Sequence, residues 1–485
     1  MRNKFLKVFL LSSLSLVVSL TFASCGAPAE QKEQQGQHSD VVTDTDVYLL
    51  KNAVTDYKIV TPVDLSADIT FAKDELKLFF NEATDINLPI INDKDLSHNA
   101  ENCYISLGDT NLYKTSGLNL DLSKLKRDGY YIRTKDKTIY IIGKTDIGAL
   151  YGVYHFLSTE FNFETYTPNT HVIDKNVKNL KLKNYNVMEN PDIDMRTRKG
   201  YFNPVDYSST DNVMFAYRLR SLDKLDSYLL PIHEGDPYSS DHNEVHNSFY
   251  FLPKGKDTDP QSNINLHPKF YSASGQLCFT CQGDEDELNA MASQAGDHVI
   301  ASLKRYKDNK NYSIVQFGII DMTPMCSCEA CTKCASEHND SKAASIIIFL
   351  YKMGRYVTDW MNKPENAEYK RDLRYMFLAY ADSLRPPFAL NADGSVTIPT
   401  ELKPYNDVTV MPYCCFDAFD ESKAYDDDDN TAYRDYVNIW GSAYEGCFAW
   451  SYGTFFNDYF CFYDAYSFYA DYYKALTQKG YSLVY

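Results

Sequence analysis

The spacing of apolar and polar residues changes near residue 190. Between residues 47 and 190, helical and alternating patterns follow each other in no regular order. A helical pattern covers residues 73–83, and two alternating runs within residues 129–143 flank a short polar segment, as in a β-hairpin. Thr145 stands where it can cap the helix that follows. Residues 47–190 therefore predict a small α+β domain.

From residue 191 to residue 485 the pattern becomes strand, loop and helix, repeated. Such alternation predicts a parallel sheet covered by helices. Strands are predicted at residues 276–280, 313–321, 375–380, 408–412 and 447–450, and helices at residues 284–307, 341–361 and 459–476. No glycine-rich phosphate loop follows a predicted strand. We therefore predict an α/β protein with a (β/α)8-type barrel rather than a nucleotide-binding sheet.

The number of predicted strands is close to the eight that such a barrel needs. About seven strands result if the weakly patterned stretch before residue 276 holds two of them. Residues 481–485 have the pattern of an eighth strand, and the sequence ends within it. If that strand stays incomplete, the barrel lacks part of its closing strand and its activity is in question.

The N-terminus has the composition of an export signal. Three cationic residues precede a mostly apolar run from Val8 to Phe22, which is shorter than the roughly 18 residues that a membrane span needs. Ala23, Ser24 and Cys25 then resemble a bacterial lipobox, which implies cleavage after residue 24 and lipidation of Cys25. The alternative is an ordinary signal peptide in which the cysteine has no function.

Residues 25–46 are rich in Gln, Glu, Ser, Asp and Thr. A segment with so little apolar surface cannot order itself by burial, so we predict a flexible tether. Together with the lipid, this tether predicts a protein held at the extracellular face of the cell membrane, with the lipid anchor as its only contact with the bilayer.

Composition narrows the choice of partners. The net charge of −18 opposes binding to a polyanion, so nucleic acid is not a predicted partner. Hydrophobic residues make up 44% of the chain, which is enough for large cores, and the aromatic share of 14% provides flat faces that pack well against sugar rings. A neutral or cationic partner fits this composition.

The most informative segment is the apolar run 313–320, which ends at Asp321 and is followed by a cysteine-rich loop. Such a run predicts a strand buried on both faces. In a barrel of alternating strands and helices, residues at the carboxyl ends of the strands carry the chemistry. Asp321 is therefore the first catalytic candidate, and its alternative function is to cap the segment that follows.

Glycosidic cleavage needs two carboxyl groups, or one carboxyl group together with a substrate acetamido group that acts as the nucleophile. Asp382 follows the strand predicted at residues 375–380 and is the second catalytic candidate. Asp417, Glu329 and Glu445 also lie near predicted strand ends. No spacing in the sequence selects the proton donor, and each of these acids has a surface position as its alternative.

The candidates for holding a sugar are His246, His267, Tyr380, Trp450 and Tyr452. The two histidines lie in the long segment before residue 276, where hydrogen bonding to a sugar is the favoured use. A metal site at His242 and His246 is less favoured, because no helical apolar stripe accompanies the pair. The aromatic residues lie near predicted strand ends, where their rings can stack on a sugar, and core packing is their alternative.

The cysteines form two Cys-x-x-Cys pairs, Cys278 with Cys281 and Cys328 with Cys331. Neighbouring barrel loops would bring these pairs together, so a structural zinc site is geometrically feasible. An exported protein favours disulfides instead, and we predict disulfides without a defined connectivity. No metal site and no cofactor is predicted.

Several segments resemble known families. Gly143–Leu157 resembles part of the small domain that precedes the barrel in hexosaminidases and α-glucuronidases. Leu266–Phe270, Gln276–Cys278 and Asp321 with its cysteine loop resemble proteins with the domain of unknown function 4838. That group is linked to glycoside hydrolase family 163, which consists of endo-β-N-acetylglucosaminidases acting on N-glycans.

The resemblance implies a barrel glycosidase that uses the acetamido group of its substrate as the nucleophile. Asp321 would orient that group or act as acid and base. In hexosaminidases an Asp-Glu pair ends the fourth strand, whereas Met322 follows Asp321 here, so the proton donor must come from elsewhere. The predicted function is a cell-surface hydrolase of N-acetylglucosamine-containing glycans. The alternative is a non-catalytic glycan-binding lipoprotein on a degenerate barrel.

Overall fold

The structure, a computed structural model, contains two large sheets and a two-stranded ribbon, with helices packed against the sheets. It describes residues 39–196, 209–221, 225, 228–232, 245–321, 323–403, 407–417, 419–451 and 465–484. The strands are β1 (Ser39–Leu50), β2 (Lys58–Thr61), β3 (Ile90–Asn92), β4 (Tyr104–Leu107), β5 (Tyr130–Lys135), β6 (Thr138–Gly143), β7 (Glu164–Thr167), β8 (Thr170–Val172), β9 (Leu180–Glu189), β10 (Met195–Arg196), β11 (Ile314–Phe317), β12 (Arg374–Ala379), β13 (Thr409–Cys415), β14 (Phe448–Trp450) and β15 (Leu483–Val484).

The α-helices are α1 (Ala67–Thr84), α2 (Asn111–Thr115), α3 (Asp146–Phe161), α4 (Ser209–Arg218), α5 (Ser248–Phe251), α6 (Asn263–Leu266), α7 (Glu285–Arg305), α8 (Glu329–Glu337), α9 (Ala343–Met361), α10 (Thr431–Ala443) and α11 (Tyr466–Gln478). None of the described helices has both the length and the apolar composition that crossing a bilayer requires.

The first sheet has the strand order β1-β9-β5-β6-β4-β2-β3. β5 and β6 form the antiparallel hairpin that the sequence predicts. α1 and α3 contribute apolar residues at helical spacing, including Phe79, Phe80, Leu150 and Tyr154, to one core with the strands. The α+β character predicted for this part of the chain is confirmed.

The edge of this sheet differs from the sequence prediction. Residues 39–46, predicted as part of the tether, belong to β1, which pairs antiparallel with β9. β1 is an edge strand, and its side chains up to Tyr48 are mostly exposed. Backbone hydrogen bonds rather than apolar burial hold such a strand, so its composition is close to that of a disordered segment. The signal segment and the rest of the predicted tether lie outside the described residues.

Thr145 precedes α3 as predicted, but its side chain does not cap the helix. Its hydroxyl group donates instead to the carbonyl oxygen of Arg127 at 2.9 Å. Thr145 therefore ties the start of α3 to the loop before β5.

The second sheet is parallel throughout, in the order β10-β15-β14-β13-β12-β11. Three predicted strands are confirmed as β12, β13 and β14, and two predicted helices as α7 and α9. The late helix predicted at residues 459–476 is described from Tyr466 onward as α11. The eighth strand predicted at residues 481–485 is present as β15, which pairs with β14 on one side and β10 on the other.

Side chains alternate between the two faces of this sheet. Tyr375 and Phe377 belong to the core that β12 shares with α7 and α9. Met376, Leu378 and Tyr413 belong to a separate core on the opposite face, which we call the inner face. Both faces are buried, as expected for a parallel sheet.

The parallel sheet is confirmed, but a closed barrel is not shown. Leu229 extends the strand order by a parallel bridge to Ile314, and within the described residues no pairing joins Leu229 to β10. The strand predicted at residues 276–280 is wrong. Leu277 forms an isolated antiparallel bridge to Tyr271 instead, in which the N–H of Cys278 donates to the carbonyl oxygen of Phe270 at 2.8 Å, and Phe279 and Thr280 lie in a turn.

Candidate functional site

Asp321 lies in the loop that leaves β11, four residues beyond the strand end at Phe317, so the strand predicted at residues 313–321 is wrong over its last part. Its side chain is 48% exposed, and its carboxylate lies close enough to the Tyr380 hydroxyl group for its negative charge to raise the pKa of that group. Nε2 of His246 lies 3.9 Å from Oδ2 of Asp321. Three of the predicted site residues are therefore brought together beyond the ends of β11 and β12.

Asn247 holds the chain where β11 ends. Its buried side chain accepts a hydrogen bond from the N–H of Gly318 at 2.8 Å and donates one to the carbonyl oxygen of Gln316 at 3.0 Å. Space requires glycine at position 318, because a Cβ atom there would lie 1.6 Å from the carbonyl oxygen of Val245. These contacts replace those of a neighbouring strand, so β11 stops before Gly318.

The next two residues are held by side chains as well. Nδ1 of His246 donates to the carbonyl oxygen of Ile319 at 2.7 Å, which leaves Nε2 on the side of Asp321. Gln276, which is fully buried, binds both backbone groups of Ile320. Its Nε2 donates to the carbonyl oxygen at 3.1 Å, and its Oε1 accepts from the N–H at 3.3 Å. The loop backbone that leads to Asp321 is thus fixed residue by residue.

Asp417 is a second carboxyl group close to this cluster, two residues beyond the end of β13. Desolvation by the surrounding protein raises the pKa of Asp417, although the residue as a whole is exposed and the nearby Cys415 thiol acts in the opposite direction. Burial, Asp321, Cys415 and Asp417 together raise the pKa of Tyr380 to about 12. A carboxyl group with a raised pKa keeps its proton to higher pH, as a proton donor must.

Asp382 has different surroundings. Its carboxylate lies 2.8 Å from Nζ of Lys342 and accepts a hydrogen bond from the N–H of Met325 at 3.0 Å. Burial acts to raise the pKa of Asp382, but these two contacts outweigh it and hold the pKa below its usual value. Asp382 therefore fastens the cysteine loop to the segment after β12.

An aromatic row runs along the inner face at this edge of the sheet. The ring of Tyr380 lies 6.1 Å from that of His246 and 6.1 Å from that of Trp450, measured between centroids. Trp450 packs edge-to-face against Tyr413 at 4.5 Å and is only 8% exposed. Trp450 therefore contributes chiefly to the inner-face core, and Tyr380 is the more accessible ring.

The structure does not bring every predicted residue to this cluster. His267 lies against α7, where its Nδ1 is 3.1 Å from the carboxylate of Glu287 and its ring stacks on Phe270 at 4.6 Å. Tyr452, Met322 and Cys25 lie outside the described residues, so the functions assigned to them stay predictions.

The cysteines differ from the sequence prediction. All ten that the structure describes are free thiols, so the predicted disulfides are not formed among them. Sγ of Cys278 lies 3.8 Å from Sγ of Cys328 and 3.7 Å from Sγ of Cys331, far beyond the roughly 2.05 Å of a disulfide bond. Cys326 joins this group, whereas Cys281 packs beside Met291. This arrangement also argues against the prediction that the chain has no metal site.

Comparison with protein families matches residues 49–156 to the model described as the glycosyl hydrolase family 67 N-terminus. This segment covers β2 to β6 and most of α3. Residues 49–156, which hold five of the seven strands of the first sheet, thus form a glycoside hydrolase-like domain. This match does not support the predicted resemblance to proteins with the domain of unknown function 4838 or to family 163. No curated protein matches the chain.

Several solved structures are remotely similar to the chain. A family GH115 4-O-methyl-α-glucuronidase is 11% identical, with 90% of this chain and 55% of that chain covered and a TM-score of 0.44. A β-N-acetylhexosaminidase from Bacteroides fragilis is 11% identical, with 86% and 76% covered and a TM-score of 0.35. A GH20 β-N-acetylhexosaminidase from Streptomyces coelicolor is 9% identical, with 85% and 73% covered and a TM-score of 0.35. The chain thus spans about half the length of the first of these proteins.

Proposed function

We propose that this protein hydrolyses glycosidic bonds in N-acetylglucosamine-containing glycans. The observation that carries the proposal is the grouping of Asp321, Tyr380 and Asp417 beyond the carboxyl ends of three adjacent parallel strands, where α/β enzymes hold their reacting groups. The match of residues 49–156 to a glycosyl hydrolase domain supports the same reaction class. The choice of N-acetylglucosamine rests on the resemblance to family 163.

Substrate-assisted hydrolysis assigns one function to each carboxyl group. The acetamido oxygen of the sugar attacks the anomeric carbon while the bond to the leaving oxygen breaks. Asp417 gives its proton to that oxygen, and the carboxylate of Asp321 accepts a hydrogen bond from the acetamido N–H. A water molecule then gives its proton to Asp417 and opens the cyclic intermediate, which restores the acetamido group and leaves the hydroxyl group on the sugar.

Asp417 is better suited to donate the proton than Asp382, which the sequence analysis gave as the second catalytic candidate. The contacts of Asp382 Oδ2 with Lys342 and with the N–H of Met325 hold the pKa of Asp382 below its usual value, so this group is ionised. Desolvation raises the pKa of Asp417 instead. His246, Asn247 and Gln276 are positioning residues, because they hold the backbone that leads to Asp321.

We also propose that the protein is anchored by a lipid on Cys25 at the extracellular face of the cell membrane. The cationic N-terminus, the apolar run up to Phe22 and the lipobox-like residues before Cys25 support this proposal. The mass of the N-terminal peptide of the mature protein tests it, and an unmodified cysteine or cleavage at another bond would contradict it.

The substrate proposal is tested by the chemical requirement for the acetamido group. We expect turnover of N-glycoproteins or of an aryl β-N-acetylglucosaminide, and turnover at least about a hundredfold slower for the matched aryl β-glucoside, which lacks the internal nucleophile. The measurement is product formation by mass spectrometry under identical conditions. Equal rates for the matched pair would exclude substrate assistance. Saturable glycan binding without any turnover would support the non-catalytic alternative.

Replacing Gln276 tests whether its contacts with Ile320 position Asp321. In Gln276→Leu both backbone groups of Ile320 lose their partner, so we expect the turnover rate to fall by about ten- to a hundredfold while KM changes little. Gln294→Leu is the matched control, because the Gln294 side chain on α7 exchanges hydrogen bonds with Asn263 and not with Ile320. Equal rates in the two variants would remove Gln276 from the positioning set.

A further inference from the structure

Four cysteine side chains meet beside the loop that carries Asp321. Their sulfur atoms all lie within 4.8 Å of one another, and they belong to Cys278, Cys326, Cys328 and Cys331. Cys278 comes from the turns before α7, whereas the other three span the end of the loop and the first turn of α8. Two segments that are distant in sequence thus converge on one point with four soft ligand atoms.

We propose that these four cysteines bind one Zn²⁺ ion as a structural site. A tetrahedral ion with Zn–S bonds of about 2.3 Å places its sulfur ligands about 3.8 Å apart. The two distances from Cys278, 3.8 Å to Cys328 and 3.7 Å to Cys331, agree with that value. Four thiolates are the ligand set that zinc prefers in structural sites, and they leave no open position for a substrate or a water molecule.

The surroundings of the sulfur atoms are those of a thiolate site. The backbone N–H of Gln282 points at Sγ of Cys278 at 3.3 Å, and the hydroxyl group of Thr280 lies 3.1 Å from Sγ of Cys331. The left-handed backbone of Cys281 and Gln282 turns this N–H towards the sulfur. Such donors orient metal-bound thiolates and share their negative charge. Cys278, Cys326 and Cys331 are also buried, which shields the ion from water.

The site joins the two segments that determine where Asp321 lies. Gln276, two residues before Cys278, binds Ile320 on one side of Asp321. Met325, directly before Cys326, donates to Asp382 on the other side. An ion shared by Cys278 and Cys326 therefore fastens both sides of this loop to one anchor. The ion does not contact the proposed substrate, so its effect on the reaction is one of positioning.

The proposal is tested on the full chain, purified without added metal or chelator, by elemental analysis. We expect about one zinc ion per chain in the wild type, about none in Cys328→Ser, and about one in the control Cys334→Ser. Cys334 is the matched control because it lies one turn further along α8 and contacts His338 instead of the cluster. Replacing zinc by Co²⁺ gives a second measurement on the wild type alone, in which tetrahedral thiolate ligation produces intense visible and charge-transfer bands.

Several results would overturn the zinc site. These are a wild type without zinc, a disulfide between any two of the four cysteines in the peptide masses, iron in place of zinc, or equal loss of zinc in Cys328→Ser and Cys334→Ser. If Cys328→Ser does not fold, the metal content and the Co²⁺ spectrum of the wild type decide the question. Metal content is independent of glycan turnover, so a failure of the proposed activity leaves this test unchanged.

Discussion

Asp321→Asn is expected to lower the rate of glycan hydrolysis by about a hundredfold or more, the scale of a lost acid–base or charge-stabilising group. The amide has the size of the carboxylate and keeps contact with Tyr380 and His246, so the fold is retained. It has no negative charge to stabilise the positive charge that develops on the acetamido group. Steady-state kinetics with the aryl β-N-acetylglucosaminide measures the effect.

The matched control for this prediction is Asp359→Asn, which makes the same chemical change at an exposed position on α9. We expect its rate to equal that of the wild type. If Asp321→Asn keeps the wild-type rate as well, Asp321 has no part in the reaction, and the assignment of the site is wrong.

Asp417→Asn is expected to lower turnover by about 10²–10⁴-fold and to abolish the loss of activity on the alkaline side of the pH profile. Desolvation raises the pKa of Asp417, so its proton is present below that raised pKa and is lost as the pH rises through it. The wild-type rate should therefore fall as the pH rises through this value. The variant has no titrating donor, so its residual rate should not show that fall.

Substrates with different leaving groups distinguish a loss of proton donation in Asp417→Asn from a structural effect of the substitution. An aryl glycoside with an acidic phenol leaves without protonation, so the variant should approach the wild-type rate on that substrate and stay slow on one with a basic leaving group. Asp382→Asn is the comparison, because loss of its contact with Lys342 disturbs the loop for every substrate alike. Equal losses of Asp417→Asn on both substrates would contradict its function as proton donor.

The parts of the fold that the sequence predicts are those held by side-chain burial. β12 is a continuous apolar run because both of its faces are covered, and α7 and α9 carry apolar stripes at helical spacing. β1 lacks such a signal, because an edge strand is held by its backbone. The end of β11 is not visible in the apolar pattern either, since Ile319 and Ile320 continue the run while side chains take over their backbone hydrogen bonds.

The candidate site could be predicted in part for similar reasons. The sequence predicts Asp321, Tyr380 and His246 as site residues, because the ends of strands carry the chemistry in such folds and these residue types can act on or bind a sugar. The sequence does not predict Asn247 and Gln276, since their function depends on the distant backbone groups with which they form hydrogen bonds. The choice between Asp382 and Asp417 depends on the position of Lys342, which no spacing reveals. The cysteine-rich segments can be recognised in the sequence. That Cys326 and not Cys281 belongs to the cysteine cluster is known only from the structure.

Release of glycan from an N-acetylglucosamine-containing glycoprotein, followed by mass spectrometry for the wild type and Asp321→Asn side by side, tests the central claim most directly. We expect a released sugar chain of defined mass with the wild type and about a hundredfold less with the variant. Equal release by the two proteins, or no release by a wild type that binds the glycan, would contradict it.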